Sequence, residues 1–505
     1  MILRNYQDDG VHAIRSDLRA GVKRICYTLP TGGGKTAIYS YIAQKSAEKK
    51  NRVLILVHRK EILEQTLKAL FRLGVVSGQI AAGRSVTQDG IQTAMVGTLV
   101  RRLGSMRRPD LIITDECHHA LEDNSWGKIL KYWSDVPNIG VTATPCRLDG
   151  RGLFESFDSL IRGPSISDLT AQGWLCPPVL YRPPDEIAQL YHIKRGDFDT
   201  SEQVNAMSGR KIVGDVIEHY REHLDGLPVV CFCISIEHSR HMASQFERAG
   251  YRARVVWGNM PREEREAAIK GLADGSVQVV TSCDVISEGV DVPVMAGAIL
   301  LRRTLSLALY LQQAGRALRP VFPAGFDANS ATAEERLAAM ARAGKPRAVI
   351  LDHAGNYQLH GHVLAPRKWT LDARPRSERT ERPPMTTTCP KCYGVWPGVP
   401  RRCPACGFDF TTRPPMREVE IKTIKGTLVE AGVSPEAAES VDEMYRRAMS
   451  AGSAADRQRL MLAAAFRAAD KRTVDALYRE AGYDPHASDW AWKYTREKMR
   501  KGGGA

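Results

Sequence analysis

Several short stretches of this chain hold side chains that could do chemistry. The first is Thr31-Gly32-Gly33-Gly34-Lys35-Thr36, set between an apolar segment (Arg24 to Tyr27) and the periodic run Ala37 to Ile42. Three successive glycines allow φ > 0 and let backbone N–H groups close on a polyphosphate. A helix starting near Lys35 adds its positive N-terminal end. Lys35 would neutralise the β- and γ-phosphates, and the Thr36 hydroxyl would ligate Mg²⁺. A flexible glycine turn is the plain alternative. Gly-Lys-Thr at a strand-to-helix junction argues against it and for a nucleotide site.

The second stretch is Asp115-Glu116-Cys117-His118-His119, just after the apolar Leu111 to Thr114. Two adjacent acids at a strand end suit Mg²⁺ and water activation in phosphoanhydride cleavage: Asp115 on the metal, Glu116 on the water. The two histidines are adjacent rather than four apart, so a zinc-protease reading is poor. Thr142 and Thr144, in Gly140 to Pro145, place hydroxyls at a further strand end. Arg316 and Arg319 lie three apart, and on one helix they would share a face and reach a phosphate together. Gln7 carries an amide, which can donate to and accept from an adenine edge at once.

The last cluster is metallic in character. Cys389-Pro390-Lys391-Cys392, ten residues, then Cys403-Pro404-Ala405-Cys406 make two Cys-x-x-Cys knuckles. That spacing suits a tetrahedral Zn²⁺ site of the ribbon type, folding a module too small to hold a core alone. The total of 11 cysteines is odd, which fits a reduced protein with one metal site better than a disulfide framework.

Positioning these groups requires alternating strands and helices. Apolar runs at 53–57, 91–96 and 111–114, and again at 229–234, 253–257, 277–282 and 298–301, alternate with amphipathic stretches. Such βα repeats imply an α/β fold with doubly wound parallel sheets and ligands at the carboxyl ends of the strands. Arg59, Lys60, Thr98, Arg101 and Arg102 fall just past such ends; a solvated basic face is the plain alternative, and the site beside them favours nucleic-acid phosphate contacts. The expected layout is an ATP-binding lobe over 1–163, a connector over 164–210 and a second lobe over 211–370. A linker (371–388), a zinc ribbon (389–410) and a helical C-terminal domain (415–505) follow. In that last part Ser434-Pro435-Glu436 reads as a helix start, and Trp490, Trp492 and Tyr494, interleaved with Lys493, suit packing of a small helical domain better than stacking on bases.

With 505 residues the chain is too long for one core, and its net charge of +14 asks for a polyanionic partner. No apolar run approaches a membrane span and no signal-peptide core opens the chain, so no membrane partner and a cytoplasmic location are expected.

Taken in order, Gly32 to Thr36, Asp115 to His118, Thr142 to Pro145 and Gln312-x-x-Gly315-Arg316-x-x-Arg319 resemble superfamily 2 helicases of the DExH type, over roughly residues 1–365. The resemblance implies two RecA-like lobes with ATP between them and nucleic acid running across both. It further implies that Gln7 reads adenine, that Thr31 to Thr36 hold the phosphates and Mg²⁺, and that Asp115 and Glu116 are the metal and general-base pair. Thr142 and Thr144 would couple hydrolysis to movement. Gly289 and Asp291 would sense ribose and nucleic acid, with Gln312, Arg316 and Arg319 completing catalysis from the second lobe. Ile350-Leu351-Asp352-His353-Ala354-Gly355-Asn356, the cysteine pairs and the Trp490 to Tyr494 ending resemble bacterial RadD-like repair helicases, whereas Arg302-Arg303-Thr304-Leu305-Ser306 departs from their Arg-Pro-Thr-Lys-Ser. DNA is then favoured over RNA, with single-strand-binding or repair proteins as partners. An RNA helicase, or a nucleotide-gated remodeller that does not unwind, are the other readings.

Overall fold

In a computed structural model the chain is described throughout except for residues 1, 88–89, 147–151, 184–191, 195–196, 208–209, 284–294, 373–384, 412–448, 451–460, 462–470, 482, 485, 490 and 494–505. Gly289, Asp291, Ser434, Trp490 and Tyr494 therefore lie outside the described residues. Contacts divide the chain into two units, Met1–Pro415 and Met416–Ala505.

The first unit opens with helix α1 (Asn5–Arg19) and strand β1 (Arg24–Thr28), then α2 (Lys35–Ala47), β2 (Val53–Val57) and α3 (Lys60–Arg72). It continues through β3 (Gly78–Ile80), β4 (Ile91–Met95), α4 (Val96–Leu99), β5 (Leu111–Asp115), α5 (Ser125–Tyr132), β6 (Asn138–Thr142) and β7 (Ser159–Arg162). These strands form one parallel sheet in the order β3-β4-β2-β5-β6-β1-β7. Helices cover both faces of such a sheet, so its central strands are apolar throughout rather than alternating. β2, Val-Leu-Ile-Leu-Val, is buried at every position. α3 buries Ile62, Leu63, Thr66 and Leu70, one stripe at helical spacing.

The second lobe begins earlier than the sequence implies. After α6 (Ile166–Ala171) comes β8 (Pro178–Tyr181), inside the stretch expected to be a mere connector. It pairs in parallel with β15 (Ala348–Asp352), from Pro178 opposite Ala348 to Tyr181 opposite Leu351. A small hairpin, β9 (Ile193–Lys194) with β10 (Asp197–Phe198), and helices α7 (Thr200–Met207) and α8 (Arg210–Leu224) follow. The βα repeat then resumes with β11 (Val229–Phe232), α9 (Ile236–Arg248), β12 (Ala253–Val256), α10 (Arg262–Asp274), β13 (Val279–Ser282) and β14 (Gly297–Leu300). α11 (Leu307–Ala317), α12 (Ala333–Arg342) and α13 (Asn356–His360) complete it. Ser306 caps α11 by accepting from Leu309 N–H at 3.2 Å, and Thr332 with Glu335 forms a capping box on α12.

The cysteine module is no appended bead. Its hairpin, β16 (Thr386–Thr388) with β17 (Gly394–Pro397), extends the second sheet by antiparallel pairing of β17 on β8. The full order is β12-β13-β11-β14-β15-β8-β17-β16. A lone edge strand would leave a row of unpaired N–H and C=O groups, and the ribbon covers it. Val179 of β8 packs into the small apolar cluster of Cys389, Trp396 and Cys403.

Between the second lobe and the ribbon the chain returns to the first. Arg162 Nε donates to Trp369 O at 3.0 Å, and Leu153 N–H donates to Leu371 O at 2.7 Å.

In the second unit the described helix is Lys471–Glu480, where Lys471 pairs with Asp475 (2.8 Å) and Asp489 (2.6 Å). Val474 and Tyr478 are buried there, Trp492 is half-buried and Lys493 is exposed. Among the described residues no helix is long and apolar enough to cross a membrane.

Candidate functional site

The strand order explains how distant motifs meet. β5, β6 and β1 are neighbours, so their carboxyl ends bring Asp115–Glu116, Thr142–Thr144 and the glycine loop side by side. This is the edge at which open parallel sheets bind ligands. Gly34, at φ 91, caps α2 in the left-handed region, and Gly32 takes φ 86. A Cβ on Gly34 would collide with Gln7 Nε2. The loop therefore needs glycine both for its backbone and for space.

Gln7 does not stand on the cavity wall. Its Nε2 donates to Gly33 O at 3.1 Å and its Oε1 accepts from Arg4 N–H at 3.0 Å. Tyr6 OH donates to the same Gly33 carbonyl at 2.8 Å. The amide expected to read adenine here braces the loop from behind, and Arg4 rather than Gln7 faces the cavity. Arg4 also lies over the ring of Trp174, 4.4 Å from its centroid, with Arg336 over that ring at 3.9 Å.

Lys35 Nζ lies 3.1 Å from Glu116 Oε1, both nearly buried. Glu116 takes φ 47, a left-handed conformation that costs a non-glycine residue of order ~1 kcal/mol. It turns the chain from β5 into the short Cys117–His119 helix and leaves the carboxylate at the loop. His118 Nδ1 is 3.3 Å from Glu116 Oε2 and 2.9 Å from Thr142 Oγ1. Thr142 Oγ1 accepts from Thr144 N–H at 3.1 Å. A continuous polar path thus runs from the acid pair to the Thr142–Thr144 turn. Beneath it, burial and the adjacent Cys26 thiol push the Cys117 thiol well above its usual range, so it stays neutral beside the acids. The His119 ring lies tilted against that of His58, just past β2, with centroids 4.8 Å apart.

From the second lobe, α11 packs directly on the loop. A Cβ on Gly315 would be 2.9 Å from Thr31 Cβ. Every residue of α11 from Tyr310 to Ala317 is buried, Gln312 and Arg316 included, because one side meets its own sheet and the other meets the first lobe. Arg319 lies past the end of α11, so the expected shared helical face is not what unites it with Arg316. Both reach the same cavity nonetheless. It measures about 1020 Å³ and is lined by Thr31, Gly32, Gly34, Lys35, Thr36, Asp115, Glu116, Gln312, Arg316 and Arg319. Ion pairs across it, Arg262–Glu64 and Arg265–Glu61, each at 2.7 Å, link α10 to α3. No local motif announces these pairs; only the fold sets α10 opposite α3.

The Asp352 to Asn356 stretch is a clamp. Asp352 accepts from Tyr357 N–H at 2.8 Å, and Asn356 Nδ2 donates to Arg302 O at 2.9 Å while its Oδ1 accepts from Thr304 N–H at 3.0 Å. Thr304 Oγ1 donates to Asp197 at 2.8 Å. The stretch leading into α11 is thereby held from two sides.

The donor sets fit their groups. Lys35, Thr36 and the left-handed loop match a triphosphate with Mg²⁺, and the charge of Arg316 and Arg319 complements one. In the ribbon the Cys389–Cys406 and Cys392–Cys403 sulfurs are 3.7 Å and 3.6 Å apart, and all four lie within 4.8 Å of one another. Bonds of ~2.3 Å at tetrahedral angles would put sulfurs ~3.8 Å apart. The four thiols are spaced for zinc.

Comparison with known proteins agrees with this geometry. The family described as type III restriction enzyme, res subunit, matches residues 1–147, and the helicase conserved C-terminal domain matches residues 211–321. A 51.5 kDa protein of a Lactococcus phage (isolate 7-9) is 31% identical over 384 residues, 76% of this chain and 77% of its own. A protein described as the ATP-dependent helicase IRC3 of Saccharomyces cerevisiae is 29% identical over 344 residues, 63% of this chain. The chain spans only 49% of that yeast relative. Among solved structures, a fragment described as the HsdR subunit of a type I restriction enzyme from Vibrio vulnificus YJ016 shares the fold. The TM-score is 0.54 at 21% identity, covering 69% of this chain and 64% of that one. With a nucleotide cradle in one lobe, arginines facing it from the other and these matches across both, the chain belongs to the superfamily 2 helicases, ATP-hydrolysing motors that act on nucleic acid.

Proposed function

We propose that this motor is a DNA-dependent ATPase that translocates on or remodels DNA in repair or recombination. The observation that carries the choice of DNA is the match of the nucleotide-holding lobe to a restriction-enzyme subunit, a class that works on DNA. The clamp at Asp352 to Asn356 and the four-cysteine ribbon support the RadD-like affinity, in which single-strand-binding or repair proteins are the partners. An odd total of 11 cysteines, four of them spaced for one metal, supports a reducing, cytoplasmic setting.

In this reading Mg-ATP supplies the phosphoanhydride, held by Lys35, Thr36 and the loop N–H groups, with Asp115 on the metal side. Arriving phosphate competes with Glu116 for the Lys35 ammonium, now 3.1 Å away, and releases the carboxylate to orient water and take its proton. Arg316 and Arg319 stabilise charge that develops in the transition state. The change at Glu116 passes through His118 to Thr142 and Thr144. Cys389, Cys392, Cys403 and Cys406 would hold zinc, which would fix the ribbon beside the second sheet.

The test is ATPase stimulation by matched single- and double-stranded DNA and RNA, run beside strand displacement. DNA-selective stimulation is expected. Stimulation by RNA alone would overturn the reading in favour of an RNA helicase, and DNA-stimulated hydrolysis without displacement would restrict the activity to translocation or remodelling.

A further inference from the structure

Arg319 is set by its main chain, and the main chain is pinned from two directions. Leu318 O accepts from Cys176 N–H at 2.7 Å, and Arg319 O accepts from Lys345 Nζ at 2.6 Å. Lys345 is only 4% exposed. Its own place is built by the end of α12: Gly344 takes φ 79, its N–H bonds Ala341 O at 3.0 Å, and Lys345 N–H bonds Met340 O at 2.9 Å. That is a Schellman turn, which directs the following side chain rigidly. Lys345 O in turn accepts from the Cys176 thiol at 3.5 Å.

The same locus touches the phosphate loop. A Cβ on Gly32 would lie 2.9 Å from Leu175 Cδ2 and 3.6 Å from Arg319 Cγ. So Leu175 and the Arg319 stem press on the glycine loop while Cys176 and Lys345 hold the backbone behind them. An ammonium buried this deeply is costly: burial pushes Lys345 down to about 8, with the Arg319 charge acting in the same direction and Cys176 opposing. A helix end needs no such group, because water or a backbone N–H can satisfy a C-terminal carbonyl.

We propose that Lys345 is a positioning residue for hydrolysis, fixing Arg319 by its main-chain carbonyl so that the guanidinium is presented to the phosphate end of the cleft. This rests on the reading of Arg319 as an arginine finger. Lys345 itself is not among the residues that line the cavity.

A double-mutant cycle in the full chain tests it, with kcat and KM for ATP measured at saturating nucleic acid. Lys345→Met keeps the aliphatic stem and removes the donor. It should lower kcat about tenfold, the scale of one charge-assisted hydrogen bond, with KM changed less than about twofold. Lys345→Arg, which still donates, should recover part of the loss. In an Arg319→Ala background Lys345→Met should cost nothing more, whereas a merely stabilising lysine would cost the same factor in both backgrounds. Equal losses in the two backgrounds, or wild-type kcat for Lys345→Met, would overturn the proposal while leaving the finger intact. Wild-type kcat for Arg319→Ala would instead remove the finger, and the proposal with it. Should Lys345→Met fail to fold, Lys345→Gln goes through the same cycle with the same outcomes.

Discussion

The seven-stranded sheet of the first lobe and the eight-stranded sheet of the second grow from the same parallel βα unit, and their carboxyl edges differ. In the first, three adjacent strands end in a glycine loop, an acid pair and a threonine turn, all poised on one phosphate site. In the second, β14 ends in a stretch clamped by Asp352 to Asn356, and a buried helix delivers cations. In the proposed cycle the first lobe would hold the nucleotide and the second would supply the arginines that meet it. The second also buries Arg316, Arg336, Lys345, Asp352, His353 and His362. Its outer edge is finished by a metal-spaced hairpin rather than by a helix. A holder can be preformed, whereas the lobe that brings the arginines must be rigid within itself and movable against its partner.

The largest effects should come from breaking the holder. Lys35→Ala and Glu116→Gln should each abolish turnover, but Glu116→Gln should still bind ATP, because the loop and metal-side contacts survive. ATP-binding and single-turnover measurements on both variants check this, and normal turnover in Glu116→Gln would remove the general base.

Removing the arginines comes next. Arg316→Ala and Arg319→Ala should each lower kcat by about 10³, the lower end of what arginine fingers supply, while the first lobe binds ATP as before. A solvated basic surface would instead weaken nucleic-acid binding and leave kcat normal once nucleic acid saturates. The two outcomes separate in one titration.

The ribbon gives an intermediate effect confined to one sheet. Elemental analysis should find one zinc per chain, lost with Cys389→Ser or Cys406→Ser. Because β17 pairs with β8, its loss should raise amide exchange in β8 and β17 and leave β5 and β6 protected. Exchange that rises equally in both lobes, or protein without metal, would contradict the ribbon's place in the second sheet.

The smallest effect is acid sensitivity of the second lobe. Burial holds His238, His360 and His362 down to about 4 and His353 down to about 3, against 6.5 for each free. A histidine whose folded value is lowered favours the folded state fully above its unfolded value, and that advantage shrinks as pH falls below 6.5. Asp352, raised to about 6 by burial, acts oppositely as pH drops through 6, but it is one group against four. Exchange at pH 7 and pH 5 should show the second lobe losing at least ~2 kcal/mol, with one pKa unit worth about 1.36 kcal/mol. Stability unchanged between those pH values would mean the histidines are reached by water.

Much of the site was legible because each motif is contiguous and sits where a buried strand turns into a loop. Gly32 to Thr36, Asp115–Glu116 and the four cysteines needed only composition, spacing and the βα repeat. The three residues of β3, with no apolar run, left no signal. Arg319 looked helical at a spacing of three, yet α11 stops at Ala317.

What the chain's linear order determined is thus the inventory of candidates: a loop shaped for phosphate, an acid pair at a neighbouring strand end, four thiols spaced for zinc. Tertiary structure alone decided the partners. β8 looked like connector because its mate β15 lies far along the chain, and pairing energy has no local trace in composition. Gln7 became a brace once Gly33 O stood 3.1 Å from its amide. Lys345 gained its role only when α12 ended beside Arg319. Hydrogen bonds and ion pairs are short-ranged, so their meaning is set by neighbours in space, which sequence order does not supply.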